Sequence, residues 1–209
     1  MRLVTLLSSI EVFADIWCPF THVGLRMIDD FRRASGEHVV IIVKAWPLEL
    51  VNGSPLDPVK TKANCSALRE QVAPSAFSNG DFGKFPKSTM DALTLVAQAY
   101  EEDSLLGENA SFALRSALFE EGSDINSENV LIEIARRVGC IYRPDPEHRL
   151  VLRDWVEGKA RGVQGSPHFF HGDAGVFCPS LQISRTEDQK LQVHMDASRL
   201  EEFLRTCLM

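Results

Sequence analysis

Cys18 stands where an apolar stretch ends and an amphipathic one begins, and Pro19 follows it directly. Upstream, Ile10, Val12, Phe13 and Ile16 read as a mostly buried strand. Downstream, Leu25, Ile28 and Phe31 recur at helical spacing, with Arg26, Asp29, Asp30, Arg32 and Arg33 between them. The spacing puts the thiol at a helix N-terminus, where unpaired backbone N–H groups and the helix dipole favour an anion. Cysteines so placed ionise more readily than free ones and serve as nucleophiles. Pro19 suits the first turn, because its missing N–H would have had no intrahelical partner. Three residues beyond the thiol stands Thr21, not a second cysteine. The residues therefore describe the chemistry of a single reactive thiol.

The remaining cysteines are Cys65, Cys140, Cys178 and Cys207. An odd number, widely scattered and without a Cys-x-x-Cys pair, fits neither a disulfide scaffold nor a metal site. With 209 residues and 44% hydrophobic content the chain can bury a sizeable core. Its 22 basic and 29 acidic side chains leave a formal net charge of −7, which argues against non-specific binding to nucleic acid or a membrane surface. No apolar run reaches the length of a membrane span. Met1 to Ile10 carries one arginine and the short apolar stretch Leu3 to Leu7, without a convincing signal-peptide core or cleavage site. The expectation is a mature chain starting near Met1 and a cytoplasmic location.

The elements that position Cys18 follow in order. Ser35-Gly36 closes the first helix, and Val39 to Val43 forms a continuous β-branched run of the kind found in a central parallel strand. Strand, helix and strand so close together predict a βαβ unit. Asn52 to Pro58 reads as a loop, and about Val59 to about Arg161 as helical. Within that block, Ser88-Thr89-Met90-Asp91 resembles a capping box. Ser111 to Glu121 continues the helical pattern up to Gly122, and Ser127 opens a helix stopped by Gly139. A further helix through Leu150, Leu152, Trp155 and Val156 ends near Gly158 or Gly162. Val163 to Phe170 and Val176-Phe177, separated by a Gly/Asp turn, predict a hairpin. Leu191 to Val193 reads as an added edge strand, and Ser198 to Cys207 as a closing amphipathic helix.

This order resembles the DsbA-type branch of the thioredoxin superfamily. The resemblance rests on Asp15-Ile16-Trp17-Cys18-Pro19-Phe20, Trp46-Pro47-Leu48-Glu49-Leu50 and Gly162-Val163-Gln164-Gly165-Ser166-Pro167. It implies an α/β thioredoxin fold (βαβ, then ββα) carrying a helical insertion. Residues 1–55 would form the first part of the thioredoxin-like domain, 56–161 the insertion and 162–209 the second part. It also implies that Cys18 is the nucleophile and that Ser166-Pro167, with a cis-proline, is the loop facing it. Dithiol members of the branch resolve their mixed disulfide with the cysteine that Thr21 replaces here. Kappa-class glutathione transferases and 2-hydroxychromene-2-carboxylate isomerases carry a single Ser or Cys at this helix start and bind a small thiol there.

The expected site is thus Cys18 with Thr21 as catalytic residues, and Trp17, Pro19, Phe20, Ser166, Pro167 and His168 as substrate or thiol contacts. Thr21 either stabilises a thiolate through its hydroxyl or caps helix N–H groups. Trp17 and Phe20 either line an apolar groove or pack in the core. His22 and His168 are candidate proton acceptors, although a histidine in a helix or strand is more often a satisfied polar residue. Cys178 is a candidate resolving thiol. The expected activity is monothiol, DsbA-like thiol-disulfide exchange on a small-molecule or protein disulfide, with no tightly bound cofactor and no metal. Glutathione or an equivalent low-molecular-weight thiol is the expected co-substrate, and a homodimer is a candidate assembly. The alternatives are a transferase- or isomerase-like enzyme and a non-catalytic peptide-binding protein.

Overall fold

The computed structural model describes residues 8–36, 39–78 and 85–208. The apolar stretch Leu3 to Leu7 lies outside them. Strand β1 (Ser8–Ala14), helix α1 (Pro19–Ser35) and strand β2 (Val39–Ala45) form the expected βαβ unit, with β1 and β2 parallel. Ile16 falls after the strand, in the turn that leads to Cys18. Gly36 ends α1 with φ 73°, a conformation that favours glycine, and its N–H bonds to the Arg32 carbonyl at 2.9 Å.

A block of helices follows: α2 (Leu48–Asn52), α3 (Pro58–Gln71), α4 (Met90–Glu102), α5 (Ser104–Phe119), α6 (Glu128–Val138) and α7 (Arg149–Ala160). The chain then returns to the sheet as β3 (His168–His171) and β4 (Ala174–Phe177), an antiparallel hairpin added beside β1. The sheet order is β2-β1-β3-β4. Ile10, Val12 and Ala14 of β1 pack with Leu25 and Ile28 of α1 and with Leu200, Phe203 and Leu204 of the closing helix α8 (Ala197–Leu208). On the opposite face Phe13 meets Trp46 and Phe170 edge-on, and Trp155 of α7 packs against Trp46. Period-two alternation in β1 thus serves two layers.

Several expectations are corrected. Val39–Val43 is an edge strand rather than a central one, since β1 is its only sheet neighbour among the described residues. Its outer backbone groups are taken by side chains. Tyr100 Oη donates to the Ile41 carbonyl and accepts from the Val43 N–H, each at 2.9 Å. Glu108 accepts from the Ile41 N–H at 3.2 Å, and Asp154 from the Ala45 N–H at 3.0 Å. Arg32 donates to the Val39 carbonyl at 3.0 Å. An edge covered in this way can be as apolar as an interior strand, which is why the run reads as central. Leu191–Val193 does not extend the main sheet; β6 (Leu191–Met195) pairs with β5 (Leu181–Arg185) in a separate hairpin. Helix α5 begins at Ser104 rather than Ser111, capped by Asp103, whose side chain accepts from the Leu105 and Leu106 N–H groups. The capping box takes another form: the N-cap is Thr89, whose hydroxyl turns to Asp15, while Ser88 donates to Glu49 at 2.7 Å and accepts from the Met90 N–H at 3.2 Å. Ser127 stands at the start of α6 without a side-chain capping bond.

Glycine at position 107 lets α4 and α5 close on each other. A Cβ there would lie 2.2 Å from the Tyr100 ring, so a side chain would displace the residue that covers β2. The start of α1 is fastened to the helical block by His22, whose Nε2 bonds to Glu120 Oε1 at 2.8 Å. Arg26 and the Ser78 N–H and hydroxyl add to the Glu120 contacts. Burial alone would raise the Glu120 pKa, but bonding from His22 and the Ser78 and Phe77 amides brings it down to about 2. Burial pushes the His22 pKa below its ordinary value, against the pull of Glu120, so its imidazole is neutral at pH 7.

Two outcomes follow from this architecture. Tyr100→Phe removes both bonds to β2 and leaves the Ile41 carbonyl and the Val43 N–H unpaired, which should cost about 1–3 kcal/mol in urea unfolding. The ionised Glu120 stabilises the folded chain fully above the ordinary glutamate pKa of about 4.5. That contribution is lost as the pH falls from there towards 2. Urea midpoints measured across this range should fall less steeply for Glu120→Gln than for the parent.

Candidate functional site

The β1–α1 turn delivers Cys18 as the N-cap of α1, with Pro19 in the first turn. The thiol is 3% exposed, and its Sγ donates to the Ser166 carbonyl at 3.1 Å. The Ser166–Pro167 peptide bond is cis. Ser166 is fixed by its own side chain, which accepts from the Asp15 N–H at 2.9 Å and bonds to the Thr21 hydroxyl at 2.8 Å. The Pro167 carbonyl accepts from the Cys178 N–H at 3.0 Å. Segments 148 residues apart are thereby locked against the sulfur.

Asp15 is fully buried, and its carboxylate accepts from the Leu48 N–H at 2.5 Å, the Thr89 hydroxyl at 2.8 Å and the Trp17 N–H at 3.4 Å. Burial raises its pKa to about 6, with those donors and the charge of Arg115 opposing the rise. Arg115 of α5 reaches under the turn, and its Nη1 donates to the Asp15 carbonyl at 2.7 Å and the Ile16 carbonyl at 3.3 Å. Neither Asp15's carboxylate contacts nor Arg115 belonged to the sequence-based site. The signal for Arg115 was a charge within the apolar phase of a helix: it shares a face with Ser111 and Phe119, which are fully buried.

A cleft of about 320 Å³ opens beside the thiol. Cys18, Pro19, Phe20 and Ser166 line one side. Lys60, Thr61 and Asn64 of α3 face them, and Ile183, Arg185 and Leu191 of the β5–β6 hairpin close the end. Gln71 of α3 ties that hairpin down, donating to the Leu191 carbonyl at 3.1 Å and accepting from the Val193 N–H at 2.8 Å. The walls are mostly apolar, with the Lys60 and Arg185 cations and the Asp57 carboxylate at their edges. Asp57 also caps α3, accepting from the Val59 N–H at 2.8 Å.

Other expected contacts lie elsewhere. Trp17 is fully buried, stacked on Phe85 with ring centroids 5.7 Å apart, and belongs to the core of the helical block. Phe20 does line the cleft. His168 turns into its own hairpin: Nδ1 accepts from the Gln164 N–H at 3.0 Å and the ring stacks on Phe170. Burial and the Arg161 charge lower its pKa. His22 faces Glu120, Phe77 and Phe119 rather than the thiol. Cys178 is buried, and burial together with the nearby Cys18 charge pushes its thiol up to about 12. Cys65 of α3 is likewise buried, and burial, with the Cys18 and Glu120 charges adding to it, pushes its thiol up. All five cysteines are free. Among the described residues no helix is long and apolar enough to cross a membrane.

Three solved structures share this architecture. A putative protein disulfide isomerase from Nitrosomonas europaea matches with a TM-score of 0.64 and 15% identity, over 97% of this chain and 98% of that one. A probable DsbA oxidoreductase from Streptomyces coelicolor matches with a TM-score of 0.67 and 18% identity, over 96% and 89%. The cytosolic disulfide reductase DsbM from Pseudomonas aeruginosa, solved also with GSH, matches with a TM-score of 0.59 and 15% identity, over 95% and 99%. At these identities the likeness is one of fold. No curated protein is similar in sequence at a significant level. The model of the DSBA-like thioredoxin domain matches residues 9–205, from the first strand to the closing helix. That match spans nearly the whole chain, and the chain belongs to the DSBA-like thioredoxin domain family.

Proposed function

We propose that the protein is a thiol-disulfide oxidoreductase working through Cys18 alone, with a low-molecular-weight thiol such as glutathione as co-substrate. The observation that carries this reading is the Cys18 sulfur itself. It opens a helix, meets the Ser166 carbonyl at 3.1 Å and borders a cleft sized for a small molecule. At position 21 the helix carries a threonine tied to Ser166, so no second thiol stands in the first turn. In the first step the Cys18 thiolate attacks a disulfide R–S–S–R, forming Cys18–S–S–R and expelling R–S⁻. In the second, a free small thiolate attacks the mixed disulfide, regenerates the Cys18 thiolate and carries R away as a new disulfide. Helix-start N–H groups stabilise the anion, and the Ser166 backbone aligns the incoming group.

Release by an external thiol is favoured over Cys178, because burial keeps the Cys178 thiol protonated at neutral pH. The 3% exposure of Cys18 favours a slender disulfide over a folded protein surface. The pair of cations at the cleft edge suits a thiol bearing carboxylates, and that DsbM was solved with GSH supports the choice of glutathione. Five unpaired thiols fit a reducing compartment, the cytoplasm.

Incubation with glutathione disulfide, followed by intact-mass analysis, should show one added glutathione on Cys18 that excess reduced glutathione removes. Glutathione-dependent reduction of a small disulfide should fall to background in Cys18→Ser. Turnover that survives Cys18→Ser would replace this reading by a transferase or isomerase one, and absence of both adduct and turnover by that of a passive binding protein. Thr21→Cys restores a partner one helical turn away from Cys18. The variant should form a disulfide between Cys18 and the introduced thiol on mild oxidation, at a stability cost of about 1 kcal/mol for the lost bond to Ser166. Thiol counting before and after oxidation checks it.

A further inference from the structure

Arg115 is 1% exposed, yet none of the ion pairs among the described residues includes it. Its Nη1 is used on the Asp15 and Ile16 carbonyls and its Nε on Ser111 Oγ at 3.4 Å, while Nη2 has no hydrogen-bond partner. The nearby Asp15 carboxylate is directed to the Leu48 and Trp17 amides and the Thr89 hydroxyl instead. A buried cation with no direct ion pair is costly, and a methyl-bearing side chain of similar size would fill the space without that penalty. The two carbonyls that Arg115 holds are those of the turn that ends in Cys18.

We propose that Arg115 is a positioning residue for the thiol chemistry: it holds the turn before Cys18 and supplies the counter-charge to the thiolate formed there. The inference rests on the reading of Cys18 as a nucleophile. Burial works against the charged guanidinium, and the strongest charges in its favour are Cys18 and then Asp15. Other charged or titratable groups around the sulfur are less suited to this role. Lys60 and Arg185 stand at the cleft edge, in reach of solvent, and Asp57 beside them is acidic. Cys65 and Cys178, facing from α3 and from the end of β4, are neutral thiols, and His22 on the same helix is neutral and bonded to Glu120. That leaves the guanidinium from α5 as the buried cation. One cation then serves two acids, Asp15 and Cys18, so the helical block contributes directly to the reactivity of a residue in the thioredoxin-like part.

The test is the pH profile of Cys18 alkylation by iodoacetamide, mapped by mass spectrometry, in the parent, Arg115→Met and Arg115→Lys. Removing the charge should raise the midpoint by about one pH unit or more, a tenfold loss of rate at pH values below it. Lysine, which keeps the charge but loses the fork that grips both carbonyls, should restore most of that shift. A folded Arg115→Met whose midpoint stays within about 0.3 unit of the parent overturns the proposal. Should that variant fail to fold, the parent carries the test. The guanidinium NMR signals of Arg115 should shift with the same midpoint as Cys18 alkylation and cease to do so in Cys18→Ser, and signals that ignore the titration overturn the proposal. Alkylation needs no disulfide substrate, so a parent that alkylates as expected but exchanges with no small disulfide defeats the oxidoreductase reading and leaves this one standing.

Discussion

Everything at the site hangs on a single residue, Asp15, whose amide and carboxylate join three distant parts of the chain. Its N–H fixes the Ser166 side chain, and its carboxylate fixes the start of α2 through Leu48 and the start of α4 through Thr89. A carboxylate buried this deeply is tolerated only because each oxygen is met by donors. Removing any of them would leave a desolvated acceptor, so the positions of the turn, the Ser-Pro loop and the helical block are mutually dependent. The geometry of Cys18 against the Ser166 carbonyl follows from that dependence rather than from the first helix alone.

The helical block is accordingly more than an appendage. It covers the outer edge of β2 with Tyr100, Glu108 and Asp154, supports the Cys18 turn with Arg115 and provides one wall of the cleft with α3. The β5–β6 hairpin supplies the opposite end and is bound to α3 by the two Gln71 bonds. The cleft is therefore assembled from elements that lie before and after the sheet's return strands. Its lining is mostly apolar, with the Lys60 and Arg185 cations and the Asp57 carboxylate at the edge.

Much of this was legible in the chain because local periodicity encodes it. The strand-to-helix switch around Cys18, the glycine stops at 36 and 139 and the β3–β4 hairpin all follow from patterning and turn chemistry. What escaped depends on partners far away in sequence. The run 39–43 looks interior because helical side chains, not another strand, satisfy its edge. The segment Leu181–Arg185 gave no strand signal because only its first residue is buried. Trp17 and His168 flank the motifs, yet each turns into a core or its own hairpin, a choice set by which face the backbone presents. The wall of the cleft formed by α3 had no motif at all.

The side-chain covering of β2 also bears on how the chain reaches this structure. Tyr100, Glu108 and Asp154 follow their strand partners by 57 to 109 residues, so the open flank of β2 stays uncovered until much of the helical block has docked. Contacts of such separation slow folding, and an exposed β-branched flank is a template for pairing between molecules. Sheet and helices should accordingly form one cooperative unit, and a nascent chain that stops short of α7 would present a sticky ribbon for chaperones to shield.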